Sequence, residues 1–350
     1  MKTHSLNDLA QSHLRDILNI VFRQTQDKHA LIVSDSQSAL SLLLTRAYRT
    51  VLPDATVVDF DQSDPDAILS QFDVLSPGDL VILVQSASFR LSKFRIRIEL
   101  FQRELKVIEH PHLARIQDTE FAVYIDALAY DPTYYRTLGH QLKRQIAQAS
   151  GINIIGTETE LTYDTCFLDP KLNIGDYEGM KNIGGQFPIG EVFTEPQNLL
   201  RVNGEVTLFA FGDTRFRVNV PEKPFIARIQ EGILVDCEGA PESFQEVLNT
   251  IRKEEDVVWV RELGFGLNRA LTQTQRVSDI GTYERMCGIH LSLGGKHLQY
   301  KKPVFSKKGG FHVDVFADAK RVEIDSVTVY TEGAYLLECV NDPSSTPFSA

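Results

Sequence analysis

The clearest chemical signal in this 350-residue chain is His312 and Asp314, two metal-binding side-chain types placed two residues apart in an apolar run. The segment from 311 to 315 reads F-H-V-D-V. In a β-strand, alternation places His312 and Asp314 on one face and their apolar neighbours on the other, so both ligand types point the same way. A half-exposed strand with its polar face in water has the same pattern, so this motif alone leaves both interpretations open.

A second strand-like segment carries His290 and His297, which stand seven residues apart on either side of a glycine pair, Gly294 and Gly295. One histidine by itself is more often a structural residue than a ligand. Several ligand-type residues beside glycine turns are more typical of a functional site. The pattern therefore favours a site that includes this segment.

Two glutamates lie in apolar, glycine-rich surroundings: Glu191 in P-I-G-E-V-F and Glu262 in V-R-E-L-G-F-G. Burying a carboxylate there is costly unless a cation or hydrogen bonds compensate its charge. A metal ion would do so. Ion pairs would also do so, for instance Glu262 with Arg261 or Glu191 with Lys181, and both explanations stay open at this point.

Taken in order, the four motifs resemble the aminopeptidase T family of metallopeptidases. They read N-I-G-G-Q-F-P-I-G-E-V-F-T-E-P, E-L-G-F-G-L-N, G-I-H-L-S-L-G-G and F-H-V-D-V-F, and the likeness covers residues 150 to 330. It implies an N-terminal α/β domain, a C-terminal strand-rich domain and a homodimer. It also implies two nearby divalent ions, zinc, cobalt or manganese, bound by Glu191, Glu262, His290, His312 and Asp314.

The resemblance implies an aminopeptidase that removes N-terminal residues from peptides, with Glu191 and His297 as catalytic residues. Two adjacent metal ions lower the pKa of a bridging water and polarise the peptide carbonyl. The family carries a tyrosine seven residues after its first histidine ligand, where this chain has His297. An imidazole can donate the same hydrogen bond, so we expect His297 to stabilise the oxyanion or to relay a proton.

A ring-cleaving dioxygenase branch that acts on dihydroxypyridine resembles the same fold and suggests a second function. It uses one Fe(II) ion held by two histidines and one carboxylate, which here would be His290, His312 and Asp314. The presence of Glu191 and Glu262, for which a mononuclear site has no need, favours hydrolysis. A third alternative is a descendant that keeps the fold and one metal for a binding or biosynthetic role.

The elements that must position these residues fall into two regions, with a predicted boundary at residue 169. Residues 1–169 alternate short apolar strands with helices, including a helix predicted over 89–105, and indicate a doubly wound, mostly parallel α/β domain. No glycine-rich nucleotide motif follows these strands. Residues 170–350 are rich in strand-like segments and predict a strand-rich α+β domain that holds the metal site.

Composition limits the kinds of partner. The chain is 43% hydrophobic and 24% charged with a net charge of −11, which is typical of folded proteins and disfavours nucleic acid. The N-terminus lacks a signal-peptide pattern, no run of 18 apolar residues occurs, and the cysteines form no C-x-x-C pair. We therefore expect a cytoplasmic protein with no membrane partner and with a peptide or other small molecule as substrate.

One further histidine pair, His110 and His112, follows a predicted parallel strand at the sheet edge where open α/β folds bind ligands. Either these histidines reach the metal domain or they lie in a surface loop. Arg115 has two candidate partners, a substrate carboxylate and Asp118.

Overall fold

The computed structural model describes residues 5–91, 94–295 and 311–336. Up to residue 148 the helices and strands are, in chain order, α1 (Leu6–Asp16, continued by a π-helical turn, Ile17–Val21), β1 (Ala30–Ser34), α2 (Ala39–Val51), β2 (Thr56–Asp59), α3 (Pro65–Asp73), β3 (Leu80–Val84), β4 (Arg90–Leu91), β5 (Phe94–Arg95), α4 (Ile96–Gln102), β6 (Lys106–His110), α5 (Phe121–Asp126) and α6 (Pro132–Gln148).

After residue 148 strands dominate. These strands and the α-helices among the described residues are, in chain order, β7 (Ile152–Ile155), β8 (Glu160–Tyr163), β9 (Lys171–Asn173), β10 (Gly184–Gln186), β11 (Glu191–Thr194), β12 (Val202–Gly212), β13 (Val218–Asn219), β14 (Phe225–Gln230), β15 (Ile233–Glu238), α7 (Glu242–Arg252), β16 (Val260–Gly266), α8 (Ile280–Tyr283), β17 (Gly288–Gly294), β18 (His312–Ala317), β19 (Arg321–Ile324), β20 (Val327–Thr331) and β21 (Ala334–Tyr335).

A parallel sheet with strand order β2-β1-β3-β6-β10 forms the centre of the α/β part of the chain. Alternate strand residues face different helices. Ile32 and Ile82 share a core with α1 and α2, whereas Val33 and Val81 share a core with α3 and α4. Both faces of the central strands β1, β3 and β6 are thus buried, which explains why these strands are largely apolar runs. The predicted doubly wound α/β fold is confirmed.

Among the described residues, a large antiparallel sheet of 14 strands contains most of the strands after residue 148 and confirms the predicted strand-rich region. It takes β7 and β8 from before residue 169, and the parallel sheet takes β10 from after it. The two sheets therefore exchange strands around the predicted boundary, and the division at 169 stays a prediction. Within the described residues, no helix is long and apolar enough to cross a membrane.

The helix predicted over 89–105 begins later than expected, at Ile96, because β4 and β5 occupy the preceding residues. The ring of Phe89 stacks on Phe60 with centroids 4.0 Å apart. Its backbone N–H donates to Gln85 Oε1 at 2.7 Å. These contacts hold the start of the segment outside the helix.

Candidate metal centre

Four neighbouring strands bring the five predicted ligands to one place in the large sheet. Glu191 is the first residue of β11, Glu262 lies on β16, His290 on β17, and His312 and Asp314 on β18. These strands are adjacent in the order β11-β16-β17-β18. Each ligand-bearing strand therefore pairs with the next one, although the strands are far apart along the chain.

The ligand atoms form two overlapping groups. In the inner group, one atom each of Glu191, Glu262 and His290 lie within 4.8 Å of one another; in the outer group, the same holds for Glu262, His312 and Asp314. Glu262 belongs to both groups. The His290 side chain is 1% exposed and that of His312 is 28% exposed, so the cluster reaches solvent on the side of the outer group.

Three buried atoms in this cluster have no hydrogen-bond partner among the described residues: Glu262 Oε2, His290 Nε2 and Asp314 Oδ1. Buried polar atoms normally have hydrogen-bond partners, so these three atoms indicate that the cluster binds a further group. His290 Nε2 lies 3.4 Å from Glu191 Oε1, and His312 Nε2 lies 3.4 Å from Asp314 Oδ1. A set of imidazole and carboxylate donors spaced in this way fits divalent metal ions.

Buried carboxylates dominate the electrostatics of the cluster. Burial alone would lower the pKa of His290, but Glu191 and Glu262 raise it well above its ordinary value. Burial would also lower the pKa of His312, but the neighbouring Asp314 outweighs burial and raises that pKa to about 10. The protonated imidazoles compensate the carboxylates, and a bound metal cation would take over that role and release the protons.

Backbone contacts orient two of the ligands. His312 Nδ1 donates to the carbonyl oxygen of Gly295 at 3.0 Å, which leaves Nε2 directed toward the outer group. The backbone N–H of Glu262 donates to Ser292 Oγ at 3.0 Å on the neighbouring strand. Histidine ligands of metals usually donate their second ring N–H to an oxygen in this way.

Two glycines are required beside the ligands, one for space and one for backbone conformation. Gly264 pairs with His290 across β16 and β17, and a Cβ at position 264 would overlap the imidazole ring. Gly190 precedes Glu191 and has a φ of +122°, a conformation that other residues rarely adopt. The glycine-rich character of the ligand segments follows from these close approaches.

In the part of the chain that it describes, the structure does not show the two ion pairs considered from the sequence, Glu262 with Arg261 and Glu191 with Lys181. Arg261 pairs with Glu255 at 3.1 Å. The cation beside Glu191 is Arg285, whose Nη2 lies 3.7 Å from Glu191 Oε2. Burial raises the pKa of Glu191, but Arg285 and His290 together hold it below its ordinary value.

Glu284 and Arg285 are site residues that the sequence did not reveal. The Arg285 side chain is 4% exposed and its Nη1 contacts Glu284 Oε1 and the carbonyl oxygen of Gly281. Burial and the nearby Glu191 raise the pKa of Glu284 well above its ordinary value, although Arg285 opposes the shift. An adjacent Glu-Arg pair usually forms a solvated ion pair, and its place just before β17 is the only sequence signal.

His297, the predicted oxyanion residue, lies outside the described residues, so its role stays a prediction. His110 is fully buried between two tyrosines: its Nε2 lies 2.7 Å from Tyr48 Oη and its Nδ1 lies 2.9 Å from Tyr124 Oη. Burial lowers the pKa of His110 to about 3. It is therefore a structural histidine of the α/β core, outside both ligand groups.

Two other residues near that strand also have protein partners. His112 Nε2 lies 3.1 Å from Ser88 Oγ. Arg115 donates from Nη1 to Asp279 Oδ1 at 3.0 Å. Asp279 is buried and accepts from Thr282 as the N-cap of α8. Arg115 thus joins the α/β part to the segment that leads to Glu284, instead of pairing with Asp118.

Two solved structures share this fold over nearly the whole chain. The 2,5-dihydroxypyridine dioxygenase of Pseudomonas putida aligns with a TM-score of 0.63 and 12% identity, covering 95% of this chain and 96% of that one. AmpT, aminopeptidase T, of Thermus thermophilus aligns with a TM-score of 0.55 and 12% identity, covering 95% of this chain and 98% of that one. Both neighbours are enzymes, and at this identity the likeness shows the fold alone.

Searches of protein-family models and of curated proteins return no significant match.

Proposed function

We propose that this chain is a metal-dependent hydrolase that binds two divalent ions and removes N-terminal residues from peptides. The observation that carries the proposal is the membership of Glu262 in both ligand groups. A carboxylate shared in this way is suited to lie between two ions. When bound, the two ions would lower the pKa of a water between them and polarise the substrate carbonyl.

The residues of the chain would bind and orient the ions. Glu191 and His290 would hold the inner ion, His312 and Asp314 the outer ion, and Glu262 both. Zinc, cobalt or manganese suits this mixture of nitrogen and oxygen ligands. Because the cluster reaches solvent at His312, which is 28% exposed, the substrate would enter from the outer side.

Further parts of the proposal concern substrate and assembly. A protonated α-amine is attracted to a site rich in carboxylates, which supports a peptide with a free N-terminus as substrate. His297 is proposed to stabilise the oxyanion or to relay a proton. A cytoplasmic location, a homodimer, and the absence of nucleic-acid and membrane partners complete the proposal.

A dioxygenase is the second candidate, supported by the higher TM-score of 0.63 to the dihydroxypyridine dioxygenase. A single Fe(II) ion would then be held by His290, His312 and Asp314. The described ligand groups with all atoms within 4.8 Å are, however, the two that share Glu262, and this triad is not one of them. We therefore rank the hydrolase first.

The test is the metal content of untagged protein purified without chelator, measured by elemental mass spectrometry. About two equivalents of zinc, cobalt or manganese, together with release of N-terminal residues from aminoacyl substrates, would support the hydrolase. About one equivalent of iron, with oxygen consumption on a dihydroxylated pyridine, would replace it by the dioxygenase.

A variant pair sharpens this test. Glu262→Gln should lower the metal content below one equivalent, since it removes a ligand from both groups. Glu255→Gln is the matched control, because Glu255 pairs with Arg261 and belongs to neither group. Full metal content in Glu262→Gln would contradict the shared-ligand arrangement.

A further inference from the structure

The two carboxylate oxygens of Glu191 face different partners. Oε1 lies 3.4 Å from His290 Nε2, within the inner ligand group. Oε2 lies 3.7 Å from Nη2 of Arg285. One oxygen is therefore directed at the proposed inner ion and the other at a guanidinium.

Arg285 is held between two carboxylates. Its side chain is 4% exposed, Glu191 lies on one side, and Glu284 contacts its Nη1 on the other. A buried guanidinium needs such compensation, because an unpaired charge in the interior is strongly destabilising. The planar fork of arginine points its donors in fixed directions, so it can contact two glutamates at once in a defined geometry.

We propose that Arg285 is a positioning residue for the inner ion and that Glu284, which contacts its Nη1, holds the guanidinium in place. Arg285 attracts Oε2 of Glu191 and so favours the orientation in which Oε1 faces the inner group. A ligand that is already oriented loses less conformational freedom on binding, and outer contacts of this kind commonly contribute about 10–100-fold to metal affinity. This inference rests on the proposed two-ion site.

Loss of Arg285 should lower the affinity for the inner ion selectively, because Arg285 contacts Glu191 of the inner group. The outer group consists of Glu262, His312 and Asp314. A general structural role would weaken both ions alike. The two ions can be studied separately: His312→Asn removes an outer ligand and leaves the inner group, and Glu191→Gln removes an inner ligand and leaves the outer group.

The experiment adds Arg285→Met to each single-ion background and titrates the metal-free protein with Zn²⁺ by calorimetry. In His312→Asn, the Kd of the remaining ion should rise about 10–100-fold. In Glu191→Gln, Arg285→Met should change the Kd of the remaining outer ion by less than about twofold, since the contacts of Arg285 are with Glu191, Glu284 and Gly281 and not with the outer ligands. Equal weakening in both backgrounds, or an unchanged Kd in His312→Asn, would overturn the proposal.

Two further variants keep the comparison interpretable. Arg285→Lys preserves the positive charge without the planar fork, so it should weaken binding of the inner ion less than Arg285→Met does. It also replaces the Met variant if that variant fails to fold. An unchanged Kd in Arg285→Lys would then overturn the proposal. Arg228→Met is the matched control, because Arg228 pairs with Glu205 on the surface. A wild-type chain that binds fewer than two ions would refute the two-ion site itself, independently of any Arg285 variant.

Discussion

Gly264 and His290 face each other across two paired strands, and the imidazole of His290 occupies the space that a side chain at position 264 would take. The imidazole is 1% exposed, so neighbouring atoms enclose it. The small size of one residue on β16 therefore decides where a ligand on β17 stands.

Gly264→Ala should displace His290 and weaken the inner ion. We expect the metal content to fall from about two equivalents toward one, and the free energy of unfolding to fall by roughly 1–3 kcal/mol because of overpacking. Elemental mass spectrometry and urea unfolding measure the two effects. Gly185→Ala is the control: its Cβ would meet Tyr177 Oη at an ordinary 3.6 Å, and unchanged metal binding in Gly264→Ala would contradict the steric argument.

His110 should make stability depend on pH. Its pKa in the folded protein is about 3, whereas a free histidine titrates near 6.5. Between these values the unfolded chain binds the proton and the folded protein does not, so stability is lost as the pH falls below 6.5. In metal-free protein, His110→Gln should flatten the pH dependence by roughly 1 kcal/mol per pH unit between about pH 6 and pH 4, relative to wild type. Parallel curves for the two proteins would show that His110 is not held neutral by burial.

Loss of Arg115 should destabilise the protein most at neutral pH. Burial raises the pKa of Asp279 above its ordinary 3.8, and Arg115 opposes that shift. A raised pKa means that the charged form is penalised in the folded state, so the penalty left by Arg115→Met is largest at pH 7 and shrinks as the pH falls through the pKa of Asp279.

Urea unfolding at pH 7 should show that Arg115→Met lowers the free energy of unfolding by about 1–3 kcal/mol. This is less than for a fully buried ion pair, because Arg115 is partly exposed. In an Asp279→Asn background, which keeps a residue able to cap α8, the same substitution should cost less. An equal loss in both backgrounds would mean that Arg115 acts through something other than Asp279.

Metal removal should lower the thermal stability. When no divalent cation is bound, protonated His290 and His312 compensate the buried carboxylates of Glu191, Glu262 and Asp314 only in part. A ligand present at about 100 times its Kd stabilises the folded state by roughly 2.7 kcal/mol, so chelation should lower the Tm by several degrees and added Zn²⁺ should restore it. Glu262→Gln, measured in parallel by differential scanning calorimetry, should respond much less to chelator. A wild-type Tm that chelator leaves unchanged would argue against a bound metal.

Several features followed from the sequence because they depend on local periodicity. Strands buried on both faces must be apolar throughout, and this pattern between helices predicted the doubly wound sheet. The pleat of a strand puts His312 and Asp314 on one face whatever the neighbouring strands are. The types of ligand in four ordered motifs, together with the family resemblance, were enough to select the residues that the structure brings together.

Only the tertiary structure decided how those residues meet. Strand order is set by pairing between segments far apart in the chain, so the position of Glu262 in both ligand groups has no local signature. The same holds for the cation beside Glu191, which is Arg285, far along the chain, and not the nearby Lys181. His110 reads as a loop histidine, yet long-range packing encloses it between Tyr48 and Tyr124. Local spacing determines which face a side chain takes, whereas burial and charge pairing depend on what the folded chain places opposite that face.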